Sequence, residues 1–303
     1  MTTVGAGRYA PSPSGDLHVG NLRTALLAWA FARHDGRRFA MRIEDLDRVR
    51  EGTRARQLED LRRIGIDWDP PVLVQSERLG AHLEAVEALR TRGLVYECYC
   101  TRREIRQEIA EAGGAPHGAP GAYPGTCREL SEQQRRRLAQ QRPAALRLRA
   151  EAATATVQDR LFGRFTGTVD DFVLVRGDGS PAYNLAVVVD DAHQGVDQVV
   201  RGDDLLSSAP RQAHLGRLLG LEQPQWVHVP LVLNPAGQRL AKRDGAVTLR
   251  DLRDRGCSST EVMGWIGDSL GLEDTVSTAA DVLEGFGRLR LDRGPWIFDP
   301  PRG

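Results

Sequence analysis

The stretch Arg8-Tyr9-Ala10-Pro11-Ser12-Pro13-Ser14-Gly15-Asp16-Leu17-His18-Val19-Gly20 constrains this chain more than any other. Residues 4–9 suit a short strand. Pro11, Pro13 and Gly15 then stop regular structure, because proline has no N–H for a ladder and glycine admits positive φ. From Val19 the apolar residues Leu22, Leu26, Leu27 and Ala30 recur at helical spacing, which predicts a helix over 18–33. A strand, a Gly-containing turn and a helix start set backbone N–H groups and the positive end of the helix dipole before an anion. His18, in the first turn, can donate to a phosphate oxygen. An ordinary strand-to-helix loop capped by Ser or Asp fits the same pattern, so this stretch alone does not decide the matter.

A second stretch lies far downstream, Arg239-Leu240-Ala241-Lys242-Arg243-Asp244-Gly245. Lysine and arginine together occupy 41 positions, and Lys242 is the only lysine among them. A lysine kept in so biased a chain suits a task that needs a compact, flexible ammonium rather than a planar fork, such as following a ligand phosphate. Between the two stretches come Arg42-Ile43-Glu44-Asp45-Leu46-Asp47, Tyr183-Asn184-Leu185-Ala186 and Val200-Arg201-Gly202-Asp203-Asp204-Leu205-Leu206, in that order. Together the five resemble the signatures of class I aminoacyl-tRNA synthetases, in their glutamyl branch, over about residues 5–250. His18-Val19-Gly20-Asn21 is similar to the HIGH element, with Asn21 in the last place. Residues 239–243 are similar to the KMSKS loop, with Ala241 where that motif has its first serine.

Around these motifs strands and helices alternate. Phe39, Met41 and Ile43 interleave with Arg38, Ala40 and Arg42, the pattern of a second strand ending at Glu44, and amphipathic helices are expected over 54–64 and 81–92. Such alternation indicates a doubly wound parallel α/β sheet of Rossmann type, with ligands beyond the carboxyl ends of the strands, where Arg8, Ser12 and Glu44 fall. Residues 183–189 read as a strand ending in Asp190-Asp191, 198–201 as another, 207–219 as a helix and 227–233 as a strand. The 61 residues after Lys242 read as short helices over 247–253, 259–270 and 279–288, with Trp265 and Phe286 for a small core. The expected organisation is a catalytic domain over 1–240, interrupted at about 97–165 by an insertion with a zinc site, then a lysine-loop and helical subdomain over 241–303. No anticodon-binding domain is expected.

Formal net charge is zero, so the chain as a whole presents no basic field to nucleic acid. The charge is segregated, however: residues 128–150 hold seven arginines against two glutamates, and 166–204 hold eight aspartates against two arginines. The first segment suits RNA phosphates, although a solvated helix face would look the same. With no run of 18 apolar residues and no basic-plus-apolar leader, a cytoplasmic protein is expected. Its four cysteines then stay reduced, and a cluster of them reads first as a metal site. Cys98, Cys100 and Cys127 fall within 30 residues. Thiolates favour zinc, and a tetrahedral site needs a fourth ligand, for which His117 is the conventional candidate. The Cys-x-Cys pair followed by Tyr123-Pro124-Gly125-Thr126-Cys127 instead resembles the zinc site of short paralogues within the glutamyl branch. That resemblance implies Tyr123 as the fourth ligand of one structural zinc.

The resemblance also implies roles elsewhere. Arg8, Tyr9, Ala10, Pro11, Ser12, Glu44 and Tyr183 would hold L-glutamate, with Glu44 facing its α-ammonium. Arg201 would face the side-chain carboxylate, because an arginine left unpaired in a dry pocket is costly. His18, Gly20 and Lys242 would bind ATP, with His18 and Lys242 acting on the phosphates and Mg²⁺ accompanying the nucleotide. The short paralogues are expected to act as monomers on L-glutamate, ATP and queuosine-containing tRNA(Asp). Their reaction forms glutamyl-adenylate and moves the glutamate to the cyclopentene-diol of queuosine. Two rivals are a truncated glutamyl-tRNA synthetase charging tRNA(Glu) and a catalytically silent core that only binds RNA.

Overall fold

The computed structural model describes residues 4–111, 123–150, 153–240, 248–272 and 274–299. Strand β1 (Ala6–Tyr9) is buried along its length and runs into the Pro- and Gly-containing loop, after which α1 (Val19–His34) begins. Asp35 closes α1, and Gly36, at a φ of 68°, turns the chain toward β2 (Arg38–Ile43) in a left-handed conformation that favours glycine. α2 (Thr53–Arg63), β3 (Asp69–Val74) and α3 (Leu79–Arg90) follow. The three strands pair in parallel in the order β1-β2-β3, with Ala6 beside Arg38 and Ile43 beside Val74.

β4 (Val95–Cys98) leaves this layer, and α4 (Arg102–Glu111), α5 (Glu132–Ala139) and β5 (Ala145–Leu148) follow it. β6 (Thr154–Asp159) and β7 (Gly163–Thr168) form an antiparallel hairpin, and β8 (Val173–Val175) completes a small antiparallel sheet in the order β4-β5-β8. The chain then returns to the main layer through α6 (Tyr183–His193), β9 (Gln198–Gly202), α7 (Ala209–Leu218), β10 (Gln225–Val229) and β11 (Val232–Leu233). β9 and β10 are parallel, and Trp226 of β10 stands beside Asp159 of β6. Ala6 joins the halves: its N–H donates to the Gly195 carbonyl (3.1 Å) and its carbonyl accepts the Asp197 N–H (3.0 Å). The strand order β3-β2-β1-β9-β10-β6-β7 therefore changes direction between β1 and β9, the switch point at which such sheets bind ligands.

Two local expectations are corrected here. Residues 183–189 are the first two turns of a helix, not a strand. An apolar run cannot be told from a buried helix by periodicity alone. Ala182, extended after Pro181, starts the helix, and Leu185 packs with Val86, Leu89, Leu174 and Leu215 of neighbouring elements, which overrides the β preference of three consecutive valines. The strand expected over 227–233 is interrupted at Pro230, which offers no ladder N–H, so β10 and β11 are separate.

α8 (Leu249–Asp254), α9 (Ser259–Ser269), α10 (Ala279–Glu284) and β12 (Trp296–Ile297) end the described chain. Gly285 divides the helix expected over 279–288 into α10 and a 3-10 turn. Leu249, Val262, Ile266 and Val282 share one buried cluster with Leu22 and Leu26 of α1 and with Leu61 and Ile64. α1 is consequently buried almost all round, as a helix between two layers must be. Its Arg23, also buried, donates through Nε to Ser269 Oγ (3.0 Å) and through Nη1 to the Pro230 carbonyl (3.1 Å), joining α1 to α9 and to the β10–β11 corner. β12 pairs with β11, Trp296 beside Val232, and so braces the strand that leads toward residue 240. Among the described residues no helix is long and apolar enough to cross a membrane.

Candidate active site

The carboxyl ends of β1, β2 and β9 and the N-termini of α1 and α6 surround a cleft of about 690 Å³. Arg8, Tyr9, Ala10, Pro11, Ser12, His18, Gly20, Glu44, Tyr183 and Arg201 all line it. Of the glutamate- and ATP-site residues expected from the sequence, only Lys242 lies outside the described residues. Leu240 lines the cleft and Thr248 pairs with His18 in an antiparallel bridge, so both flanks of residues 241–247 stand beside the site.

His18 is the N-cap of α1. Its extended backbone (φ −86°, ψ 166°) lets Nδ1 accept the Asn21 N–H (3.2 Å), while Asn21 Oδ1 accepts the His18 N–H (3.2 Å). A backbone N–H can only donate, so Nδ1 carries no proton and the proton of the neutral ring sits on Nε2. Burial pushes the His18 pKa down to about 4, which keeps the ring neutral near pH 7. His18 is thereby a neutral donor at a helix N-terminus. Gly20 has a steric reason to lack a side chain: a Cβ there would lie 3.0 Å from the His18 ring and 3.1 Å from Val232. The loop before His18 is held from α2, where Gln57 Nε2 donates to the Ser12 (3.0 Å) and Gly15 (2.7 Å) carbonyls and Arg56 pairs with Asp16 (2.7 Å).

Arg8 and Arg42, on adjacent strands, converge on Asp191 of α6 at 3.3 and 2.7 Å. Arg42 also reaches Glu44 (3.2 Å) and Gln194 (2.9 Å), and Arg8 donates to the Val200 carbonyl (3.2 Å). Burial raises the Glu44 pKa even though Arg42 and Arg8 pull the other way. An incoming ammonium would favour the charged carboxylate. The Glu44 N–H donates to the Pro11 carbonyl (3.0 Å), which fixes the carboxylate against the loop of the first motif.

Arg201, at the end of β9, is 5% exposed and has no carboxylate within 4.0 Å among the described residues. Its partners are neutral. Nε donates to His228 Nε2 (3.0 Å), Nη1 to Gln212 Oε1 (2.7 Å) and Tyr183 Oη (3.4 Å), and Nη2 to the Leu205 carbonyl (3.2 Å). The guanidinium carbon lies 4.9 Å from the Trp226 ring centroid. Burial lowers the Arg201 pKa, the mark of a cation held without its counter-ion.

The cysteines form a second site. Cys98, Cys100 and Cys127 bring their sulfurs within 4.8 Å of one another, and the Cys100 and Cys127 sulfurs are 3.4 Å apart. Tyr123 Oη stands 3.4 Å from Cys98 Sγ and 3.5 Å from Cys100 Sγ and accepts the Cys127 N–H (2.9 Å). Three soft donors and a phenol oxygen around one point suit zinc. His117 lies outside the described residues. Among the described residues, five of the seven arginines in 128–150 have side-chain partners: Arg128 with Asp171, Arg136 with Glu132, Arg142 with Glu104, Arg147 with the Asp171 carbonyl and Arg149 with Glu129. Much of the basic charge therefore holds this segment together.

Asp191, Arg42, Gln57, Gln212, His228 and Asp159 escaped the sequence reading. Arg42 and Asp191 stand inside or next to the stretches 42–47 and 183–186, and their motif positions are the signal that points to them. The remaining four carry no motif spacing, and only their buried polar contacts reveal them.

The family described as class I tRNA synthetases (E and Q), catalytic domain, matches residues 6–270. The glutamyl-Q tRNA(Asp) synthetase of Nocardia farcinica is 64% identical over 298 residues, covering 98% of this chain and 94% of the relative. That of Cutibacterium acnes is 53% identical, covering 89% of this chain and 77% of the relative. Among solved structures, a glutamate tRNA ligase from Elizabethkingia meningosepticum in complex with its amino acid superposes with a TM-score of 0.77 at 25% identity, covering 97% of this chain and 67% of that one. The chain therefore belongs to the class I tRNA synthetases (E and Q), grouping there with the glutamyl-Q tRNA(Asp) synthetases, and is an ATP-dependent ligase of the aminoacyl-tRNA synthetase type.

Proposed function

We propose that this chain activates L-glutamate with ATP to glutamyl-adenylate and transfers the glutamate to the cyclopentene-diol of queuosine in the anticodon of tRNA(Asp). The observation that carries the amino-acid half is Arg201, a buried guanidinium with neutral partners and no acid within 4.0 Å among the described residues. A substrate side-chain carboxylate supplies the missing charge, whereas a neutral isostere leaves the cation uncompensated. The RNA half rests on the names of relatives that align with nearly the whole chain.

In the first step an oxygen of the substrate α-carboxylate attacks the α-phosphorus of ATP and pyrophosphate leaves. The attacking carboxylate is already ionised, so positioning and charge neutralisation suffice and no protein base is required. Glu44 takes the α-ammonium, and Arg8, Tyr9, Ala10, Pro11, Ser12 and Tyr183 shape the pocket around the amino acid. His18 Nε2–H and Gly20 face the phosphates, Lys242 follows the leaving pyrophosphate, and Mg²⁺ arrives with ATP, bound chiefly by phosphates and water. In the second step a diol hydroxyl of queuosine attacks the acyl carbon and AMP leaves. Cys98, Cys100, Cys127 and Tyr123 hold one zinc, structural because four protein ligands leave no open position.

Labelled glutamate tests the reading. ATP–pyrophosphate exchange with glutamate is expected without RNA, because the charged groups of the pocket are already hydrogen-bonded in place. Transfer is expected to tRNA(Asp) carrying queuosine and not to the same tRNA lacking it. Label at the 3′ end of tRNA(Glu), indifferent to queuosine, would establish a truncated tRNA(Glu)-charging enzyme instead. Absence of exchange with or without RNA would leave a silent binding core.

A further inference from the structure

Behind Arg201 lies a buried chain of groups that no part of the reaction above uses. Asp159, at the end of β6, is 1% exposed and accepts four hydrogen bonds. Oδ1 takes the Leu161 and Phe162 N–H groups (2.9 and 2.8 Å), and Oδ2 takes the backbone N–H of His228 (2.9 Å) and contacts its Nδ1 (2.7 Å). These bonds hold Asp159 below the usual carboxylate range against its burial, so it is an anionic acceptor. On the other side of the fully buried His228 ring, Arg201 Nε stands 3.0 Å from Nε2. A guanidinium N–H can only donate, so Nε2 must be bare and the ring proton must sit on Nδ1, pointing to Asp159.

We infer that His228, set in this tautomer by Asp159, is the positioning residue that aims Arg201 at the substrate's side-chain carboxylate without discharging it. The inference rests on the reading that Arg201 is the selector of that carboxylate. Three features carry it. First, the clamp on Nε is neutral, whereas a carboxylate in the place of His228 would pair with Arg201 directly and satisfy it inside the protein. Second, the Nε bond, the Gln212 bond and the Leu205 bond use three edges of one planar group, which leaves it a single orientation. Third, one Nη2 hydrogen has no partner among the described residues, and Arg201 borders the cleft. The anion is set one ring further back, where it fixes the imidazole and does not compete for the guanidinium.

The test compares His228→Phe, which keeps the ring volume and removes the acceptor, with His228→Gln, whose amide oxygen can take the place of Nε2. Exchange kinetics with glutamate, glutamine and ATP are measured on the full chain. His228→Phe is expected to raise KM for glutamate by about 10–100-fold, the effect of losing one hydrogen bond to a charged group. Its kcat and its KM for ATP should change little, and its preference for glutamate over glutamine should fall. His228→Gln should recover most of the glutamate KM and the preference. An unchanged glutamate KM in folded His228→Phe, or equal rises in the KM for glutamate and for ATP, or a His228→Gln variant as impaired as His228→Phe, would overturn the inference. Arg201→Gln separates the two levels. If it spares the glutamate KM, the selector reading fails; if it raises that KM while His228→Phe does not, only the positioning role fails.

Discussion

His18 shows how much chemistry one capping residue can carry. The Nδ1 that caps α1 is unavailable to ligands, and that alone decides that Nε2 bears the proton offered to the cleft. At pH 7 the imidazole should appear by NMR as the neutral, Nε2-protonated tautomer, titrating near 4; a pKa near 6.5 would contradict the capped, buried ring. The folded pKa lies below the unfolded one, so the unfolded chain binds the proton more readily. This contribution to stability is complete above about pH 6.5 and is lost as pH falls through about 4. Lys242 belongs at the same scale. Lys242→Ala should slow adenylate formation by about 10²–10³-fold, as loss of one donor to transition-state charge does, with glutamate binding intact. Lys242→Arg should restore only part of the rate, because a planar fork does not follow a moving phosphate as an ammonium does. Near wild-type exchange in the arginine variant would remove the special role of the only lysine.

At the scale of elements, the cysteine site depends on two segments that the chain brings together, the end of β4 and the turn over 126–129 that holds Cys127. Tyr99 N–H donates to Cys127 Sγ (3.4 Å), and Arg147 stacks on Tyr123 with its guanidinium carbon 3.7 Å from the ring centroid. Metal analysis of the purified protein should find about one zinc per chain, the content of one four-ligand site. Cys127→Ser should lose the metal and expose the segment between β4 and β5 to protease, whereas Cys257→Ser should do neither. Metal kept in Tyr123→Phe but lost in His117→Ala would move the fourth ligand to His117.

At the scale of the molecule, α1 is the axis shared by the parallel strands and the helices after residue 248. The buried cluster runs from Leu22 and Leu26 into Val262, Ile266 and Val282 without a boundary. The catalytic layer and the helices after residue 248 should therefore unfold in one step. Ile266→Ala, at a fully buried position, should cost about 2–5 kcal/mol and lower the single midpoint. Two transitions, only one of them moved by the substitution, would show that the C-terminal helices fold on their own.

What the amino-acid sequence determined by itself was whatever local chemistry could encode. Pro11, Pro13 and Gly15 must break the chain after a strand, and the apolar spacing beyond Val19 must start a helix. Arg8, His18 and Glu44 thus fall at the ends of regular elements, and all three line the cleft. Cys98, Cys100 and Cys127 were legible as a cluster, because cysteines recurring within 30 residues read first as one site, and their sulfurs do converge. Tyr123 was named by resemblance alone, since no spacing rule singles out a tyrosine. Tertiary structure alone decided the rest. Residues 183–189 became helix because packing partners distant in sequence, not local preference, settle how an apolar run is buried. Arg201 owes its uncompensated charge to Gln212 and His228, and His228 owes its tautomer to Asp159, 69 residues away. No spacing rule relates such groups. They meet only because parallel strands set remote residues side by side at one end of the sheet, where a buried polar atom must find a partner or remain unsatisfied.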